Sequence, residues 1–423
     1  MPVKVLLFLS IYLTCALGAL FNPILGVCGY IFTYSVYSEH VWWGAILAQY
    51  PIRYSFTMAL FLFAGMLLQK NKINWTIRPY NKLEVSFYLF IGIITLSLIL
   101  GIPPDEHSHD LFNKMFKISL FLFMFTRVVN TLKCYQMLIF TLTATGIFLG
   151  LQAYQAPASM FIHGRLNMLG GLDFADSNEF AIFLGAVSCF LGVAILKEKR
   201  WPLKFLYIIG AAFILNGIIL TRARAIFVAM LVVTIYAIFF TPQKWRKQIF
   251  IYLILGGILF FQLVDPGFFA RMKTLKNPEQ EGSAASRLWI WKASLKMLRD
   301  YPLGVGIGNF ERVIGNYDER IIGRDAHNTF VRCYGELGIH GLAFFMFIIL
   351  LVFKQLRHIQ KLARGTPLET RANLEVFALS LAIIIYLVAG LSHTHLYIEA
   401  QWWLFAMPIC LEKAVLNEIQ RNK

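Results

Sequence analysis

Apolar runs of 14–19 residues, most of them close to the length that crosses a hydrocarbon core of about 30 Å, recur along almost the whole chain. They cover Val5–Leu20, Ile24–Tyr37, Ile52–Leu68, Leu83–Gly101, Leu111–Phe125, Cys134–Leu151, Phe180–Leu196, Phe205–Leu220, Ala225–Phe240, Ile249–Val264, Leu337–Phe353, Val376–Leu391 and Trp402–Val415. Only 15% of the 423 residues are charged, against about a quarter in an ordinary soluble domain. A soluble fold would leave much of this surface in water, so the expected class is all-α: a polytopic integral membrane protein of about twelve transmembrane helices, with residues 1–423 as one membrane domain. The first two runs are short and meet at Asn22-Pro23, as a single entry element or a partial hairpin. Only Lys4 precedes the first run and no small-x-small cleavage site ends it cleanly, so it reads as a retained helix rather than a signal peptide.

A formal charge of +16 suggests nucleic acid until it is placed on this topology. The basic residues gather in Lys70–Lys82, Arg127–Lys133, Lys197–Lys204, Lys244–Lys247, Lys354–Arg371 and the C-terminal tail. These lie on alternate loops, as the excess of Lys and Arg on cytoplasmic loops requires, and they would face anionic membrane lipids. With no aromatic-basic interleaving, nucleic acid is not an expected partner. The loops Ile102–Asp110, Gln152–Glu179, Thr221–Arg224, Asp265–Glu336 and Ser392–Gln401 then face outward. All six cysteines except Cys333 fall within apolar runs and none forms a CxxC pair, which argues against a disulfide framework or zinc site.

The region 265–336 is the large outer loop. It contains the turn-rich stretch Asn277–Ser283 and then an amphipathic helix from about Ser286 to Arg299, with Leu288, Trp291, Leu295 and Leu298 on one face; Asp300-Tyr301-Pro302 stops it. Arginine is unexpectedly frequent on the outward side: Arg165, Arg222, Arg224 and Arg287. Such residues either snorkel at the interface or form a guanidinium clamp that holds a phosphate-bearing substrate bidentately. In Asp325-Ala326-His327-Asn328, the helical pattern that follows ends at Gly338 and puts His327 near a helix N-terminus. There the dipole and neighbouring Arg324 oppose imidazolium, leaving a base for a hydroxyl proton; the bland alternative is a helix cap. Asp173, Asp176, Asn178 and Glu179 stand at another helix entry, as caps or as a polar pocket wall. Gly304-Val305-Gly306-Ile307-Gly308-Asn309-Phe310 follows a helix rather than a strand, so it reads as a tight turn, not a dinucleotide fingerprint. The acidic-histidine stretch Asp105–Asp110 and His393-Thr394-His395 lack metal-ligand spacing and read as connectors; no metal or other cofactor is expected.

Four stretches in order resemble the O-antigen ligase and polymerase superfamily, in particular its exosortase-associated O-glycosylation ligases. They are the glycine-rich turn and Asp-x-Asn of Gly171–Phe180, the arginine-bearing Thr221–Ala225, Ser286–Phe310, and Asp325–Gly341 with its His-Asn and Glu-x-Gly-x-x-Gly. The resemblance implies a GT-C-like glycosyltransferase of the bacterial inner membrane, with its active site facing the periplasm. Its donor would be a glycan on undecaprenyl diphosphate, and in the ligase branch its acceptor a sugar hydroxyl of lipid A–core. The family's essential histidine falls on His327, and its essential arginines on Arg222 or Arg224 and on Arg287. Arg165, Arg324, Asn328, Asp176, Asn178 and Glu336 are further candidates. The expected transfer is metal-independent and inverting. An O-antigen polymerase or a protein O-oligosaccharyltransferase differs only in acceptor. A lipid-linked glycan flippase, the non-enzyme alternative, would carry its ionisable residues near the bilayer midplane rather than at the outer rim.

Overall fold

A computed structural model describes residues 3–50, 52–70, 81–167, 169–174, 176–264, 268 and 282–422; the segment Asn277–Glu281 of the turn-rich stretch and most of the Lys70–Lys82 cluster lie outside them. Every apolar run falls on a helix. These are α1 (Val3–Phe21), α2 (Pro23–Ser35), α3 (Tyr54–Leu68), α4 (Lys82–Leu100), α5 (Glu106–Val128), α6 (Leu132–Tyr154), α7 (Ser177–Lys197), α8 (Trp201–Thr221), α9 (Arg224–Phe240), α10 (Arg246–Leu263), α12 (Thr329–Ala363), α13 (Glu369–Ala389) and α14 (Glu399–Arg421), with α11 (Gly282–Asp300) before α12. Among the described residues, 8 helices are long and apolar enough to cross a membrane. The chain is an all-α polytopic membrane protein. Among the described residues its one departure is a hairpin of two-residue strands, β1 (Phe161–Ile162) and β2 (Arg165–Leu166).

The entry element is a hairpin. Asn22 is extended and Pro23 opens α2, a position where the missing N–H costs nothing. Small residues bring the two arms together: a Cβ on Gly29 would lie 2.6 Å from Cys15 Cβ, and one on Gly65 of α3 would lie 2.0 Å from the Ala19 carbonyl. This is the close approach that replaces hydrophobic driving force between helices in lipid.

The basic residues collect at one end of the bundle. There Arg127 of α5 pairs with Glu84 of α4, both buried. Lys413 of α14 donates to the Thr126 carbonyl (2.8 Å), and Lys197 of α7 bonds Glu375 of α13 (2.6 Å). The loops read as outward meet at the other end. The first turn of α1 reaches it, where Lys4 bonds Gln155 Oε1 (2.7 Å).

Three local features depart from expectation. The Asp105–Asp110 stretch is the start of α5 rather than a connector, with Asp105 accepting from the Ser108 N–H (2.9 Å) as its cap. α11 forms over the expected span but buries Ile290, Ala293, Ser294 and Met297, leaving Leu288 and Leu295 exposed. The helix is apolar on two stripes, and the stripe with small Ala293 and Ser294 is the one that packs on Val305, Phe310, Ile314 and Val331. α12 continues past Gly338, but Gly338 itself (φ 70, ψ −179) breaks it. A Cβ there would meet Pro302 O at 2.7 Å, and one on Gly304 (φ 86) would meet Glu336 O at 2.3 Å. The glycine-rich turn therefore threads against the break. Its Val305 and Gly306 N–H groups donate to the carbonyls of Gly335 and Glu336 (2.9 Å each), which the interrupted helix would otherwise leave without partners. The tight-turn reading of 304–310 accounts for this geometry.

Candidate active site

The turn before α12 is built around Asp325. Its Oδ2 accepts from the His327 N–H (2.9 Å) and the Thr394 hydroxyl (2.8 Å), while Oδ1 accepts from Arg332 (2.7 Å). These bonds hold His327 in the left-handed region (φ 46), a conformation rare for a residue with a Cβ and characteristic of functional turns. The helix cap is Asn328, not His327: its Oδ1 accepts from the N–H groups of Phe330 (2.9 Å) and Val331 (3.1 Å), and its Nδ2 donates to Leu391 O (3.0 Å). The backbone thus releases the imidazole, which is 40% exposed with Nδ1 3.4 Å from Asp325 Oδ2.

The His327 pKa is lowered. Burial is the first cause, and Arg287 and His393 add to it against the opposing carboxylates of Asp325 and Asp176. The cation beside His327 is therefore Arg287 of α11. Arg324, expected to supply it, is exposed, and it is not among the groups that shift His327.

The four outer arginines divide into two groups that meet around His327 and Asp176. Arg287 acts on the imidazole. Arg165 is placed by the β-hairpin, whose central residues His163 and Gly164 both have positive φ (50 and 71), the type I′ geometry that matches strand twist. Its Nε donates to the Thr221 carbonyl (3.0 Å) at the end of α8, and it interacts electrostatically with Asp176 and Arg224. Arg222 closes α8 in the left-handed region (φ 47), and its guanidinium lies where a Cβ on Gly164 would be 2.9 Å away. Arg224 opens α9. The loop between α8 and α9 is thus pinned by Arg165, and Arg222 and Arg224 flank it.

Asp176 caps α7, accepting from the Asn178 N–H (3.2 Å) and Nδ2 (2.9 Å), and also lies 3.3 Å from His393 Nε2. Asn178 serves that cap. Asp173 belongs elsewhere: it accepts from the Tyr34 hydroxyl (2.6 Å) and the Glu399 N–H (2.9 Å) and pairs with Lys114. Glu336 is wholly buried, accepting from Arg332 Nε (2.9 Å) and the Tyr397 hydroxyl (2.5 Å). It reaches the site only through Arg332, which also contacts Glu311 (3.0 Å) and Asp325. Glu336 is thus a structural anchor rather than a group that meets a substrate.

Sequence reasoning missed Asp325 as a site residue and dismissed His393 and His395 as connectors. Both histidines pack against Glu179 of α7, His395 buried and His393 partly so: His393 Nε2 and His395 Nδ1 lie 3.1 and 2.7 Å from Glu179 Oε1. The His393 ring is 6.3 Å from that of His327. The one local signal was a histidine pair in an outward loop, together with Glu179 in the polar turn already noted. Among the described residues no group of three or more His, Cys, Asp or Glu is arranged to hold a metal ion.

The geometry gathers a basic imidazole, several guanidinium groups and a carboxylate-histidine cluster at the end of the bundle opposite its basic loops. Such a constellation suits transfer from a phosphate-bearing donor to a hydroxyl. No curated protein matches the chain. Residues 209–346, which include Arg222, Arg224, Arg287 and His327, match the family model of O-antigen ligase.

Proposed function

We propose that the protein is an O-antigen ligase of the bacterial inner membrane, working on the periplasmic face with a GT-C-like architecture. It would transfer a glycan from undecaprenyl diphosphate to a sugar hydroxyl of lipid A–core. The observation that carries this reading is the placement of Arg287 and His393 beside His327, next to the Arg165–Arg222–Arg224 group. The topology supports it, since the opposite end carries the basic loops expected in the cytoplasm. On this reading the outer loop is 265–336.

In the proposed reaction the acceptor hydroxyl gives its proton to His327 as its oxygen bonds to the anomeric carbon. The bond from that carbon to the diphosphate oxygen breaks, and undecaprenyl diphosphate leaves with the electron pair. Attack opposite the leaving group inverts the anomeric configuration. Arginines offer bidentate hydrogen bonds to the departing diphosphate, stabilising the charge that develops there. A diphosphate neutralised in this way needs no strong general acid, so the site requires only a base, for which a neutral imidazole is suited. Arg332 and Thr394 hold Asp325, which fixes the turn that presents His327.

The test is the surface glycan of a deletion strain. Loss of long glycan from lipid A–core with lipid-linked polymer accumulating supports the ligase. A single repeat unit left on the core identifies a polymerase instead, and loss of glycan from protein alone identifies a protein O-oligosaccharyltransferase.

A further inference from the structure

We infer that His393 is a positioning residue for His327: clamped by two carboxylates of α7, it stands beside the reactive imidazole as a fixed cation and keeps that imidazole in its basic form. The assignment of a base role to His327 rests on the function proposed above; the pairing of the two histidines does not.

The geometry of His393 is set from three sides. Its Nε2 lies 3.1 Å from Glu179 Oε1 and 3.3 Å from Asp176 Oδ2. Its carbonyl accepts from the Thr329 hydroxyl (3.0 Å), whose oxygen in turn accepts from the His395 N–H (2.8 Å). Its ring faces His327 with an interplanar angle of 27°. One ring N–H between two carboxylates favours the imidazolium form, because two nearby negative charges stabilise the charged ring. The charged and titratable groups around the pair are Glu179 and Asp176 from α7, Asp325 from the turn, His395 in the same loop, Tyr386 of α13 against His395 and Arg287 from α11. Burial alone would lower the His393 pKa, but the Glu179 hydrogen bond and the charges of Glu179, Asp176 and Asp325 outweigh it and the net shift is upward. The shift of His327 is downward. Two adjacent imidazoles whose environments push them apart divide the roles of cation and base between them.

Diethyl pyrocarbonate reacts with neutral imidazole, so peptide-resolved mass spectrometry of the purified full-length protein reads the neutral fraction of His327 without any substrate. The expected titration of His327 in the wild type lies below that of an ordinary histidine. In His393→Gln the missing cation lets His327 protonate at higher pH. The proton-binding constant of His327, read from the midpoint of its modification against pH, should rise roughly three- to tenfold, the effect of a unit charge about 6 Å away across an effective dielectric of about 40–80. Glu179→Gln keeps the His393 ring in place and removes the nearer of the two carboxylates that protonate it, so it should shift His327 in the same direction. Adding Glu179→Gln to His393→Gln should change nothing further. An unshifted His327 titration in Glu179→Gln, with a melting temperature like the wild type, overturns the inference. The transfer assay is separate: if the titration moves as stated and no glycan is transferred, the pairing stands and the proposed function falls.

Discussion

Arg332 is the most exacting point in the site to disturb. Its guanidinium is 7% exposed and contacts Asp325 Oδ1 at 2.7 Å, Glu336 Oε1 at 2.9 Å and Glu311 Oε1 at 3.0 Å. Glu336 is wholly buried and Asp325 mostly so. Arg332→Ala leaves these carboxylates facing one another with no counterion. Removing one member of a buried pair costs roughly 3–5 kcal/mol, because the remaining charge stays desolvated. For a chain of 423 residues unfolding completely, the unfolding entropy would be about 0.9 kcal/mol per kelvin. Helices persist in detergent, so the entropy actually released is smaller, and a fall in melting temperature of at least about 3 °C is expected. Thermal unfolding of the purified variant, followed by intrinsic tryptophan fluorescence, measures it. Arg332→Lys should fall between, since a point charge cannot serve three carboxylates in a planar fork. A melting temperature within about 1 °C of wild type in Arg332→Ala would refute the reasoning and make the network an ornament of the fold.

Replacing Arg287, Arg222 or Arg224 by Ala should abolish glycan transfer in a purified assay while the protein stays folded, with Lys rescuing only partly; wild-type rates would make these residues interfacial anchors. EDTA should leave purified activity intact, because guanidinium groups supply the positive charge at the diphosphate; loss that a divalent ion restores would contradict this. Single cysteines in intact cells should be labelled by an impermeant reagent at Gly323 and protected in the 354–371 loop, and the reverse pattern would invert the orientation.

The helices were legible because the bilayer imposes a length on each apolar run, and every run became a helix. The break at Gly338 and the turn at 304–310 were legible too, since glycine at positive φ carries its own signature. What the sequence concealed was partnership across distance. Glu179 and His395 are separated by 216 positions, and no local pattern marks them as neighbours. Both stripes of α11 are apolar and hydrophobic periodicity cannot choose which one packs; small side chains facing a second core did. Arg324 looked like the neighbour of His327 because it is close in the chain. In space the cation that acts on His327 is Arg287, forty residues earlier in sequence.

The central claim is that His327 takes the proton of the acceptor hydroxyl. The most direct test is turnover of His327→Gln with an undecaprenyl-diphosphate glycan and lipid A–core, measured beside donor binding. Glutamine still positions a hydroxyl by hydrogen bonding but has no basic nitrogen. Turnover should fall by roughly 10²–10⁴, equally in His327→Gln and His327→Ala, while the donor stays bound. Near-normal turnover in His327→Gln would contradict it and reduce His327 to a positioning group.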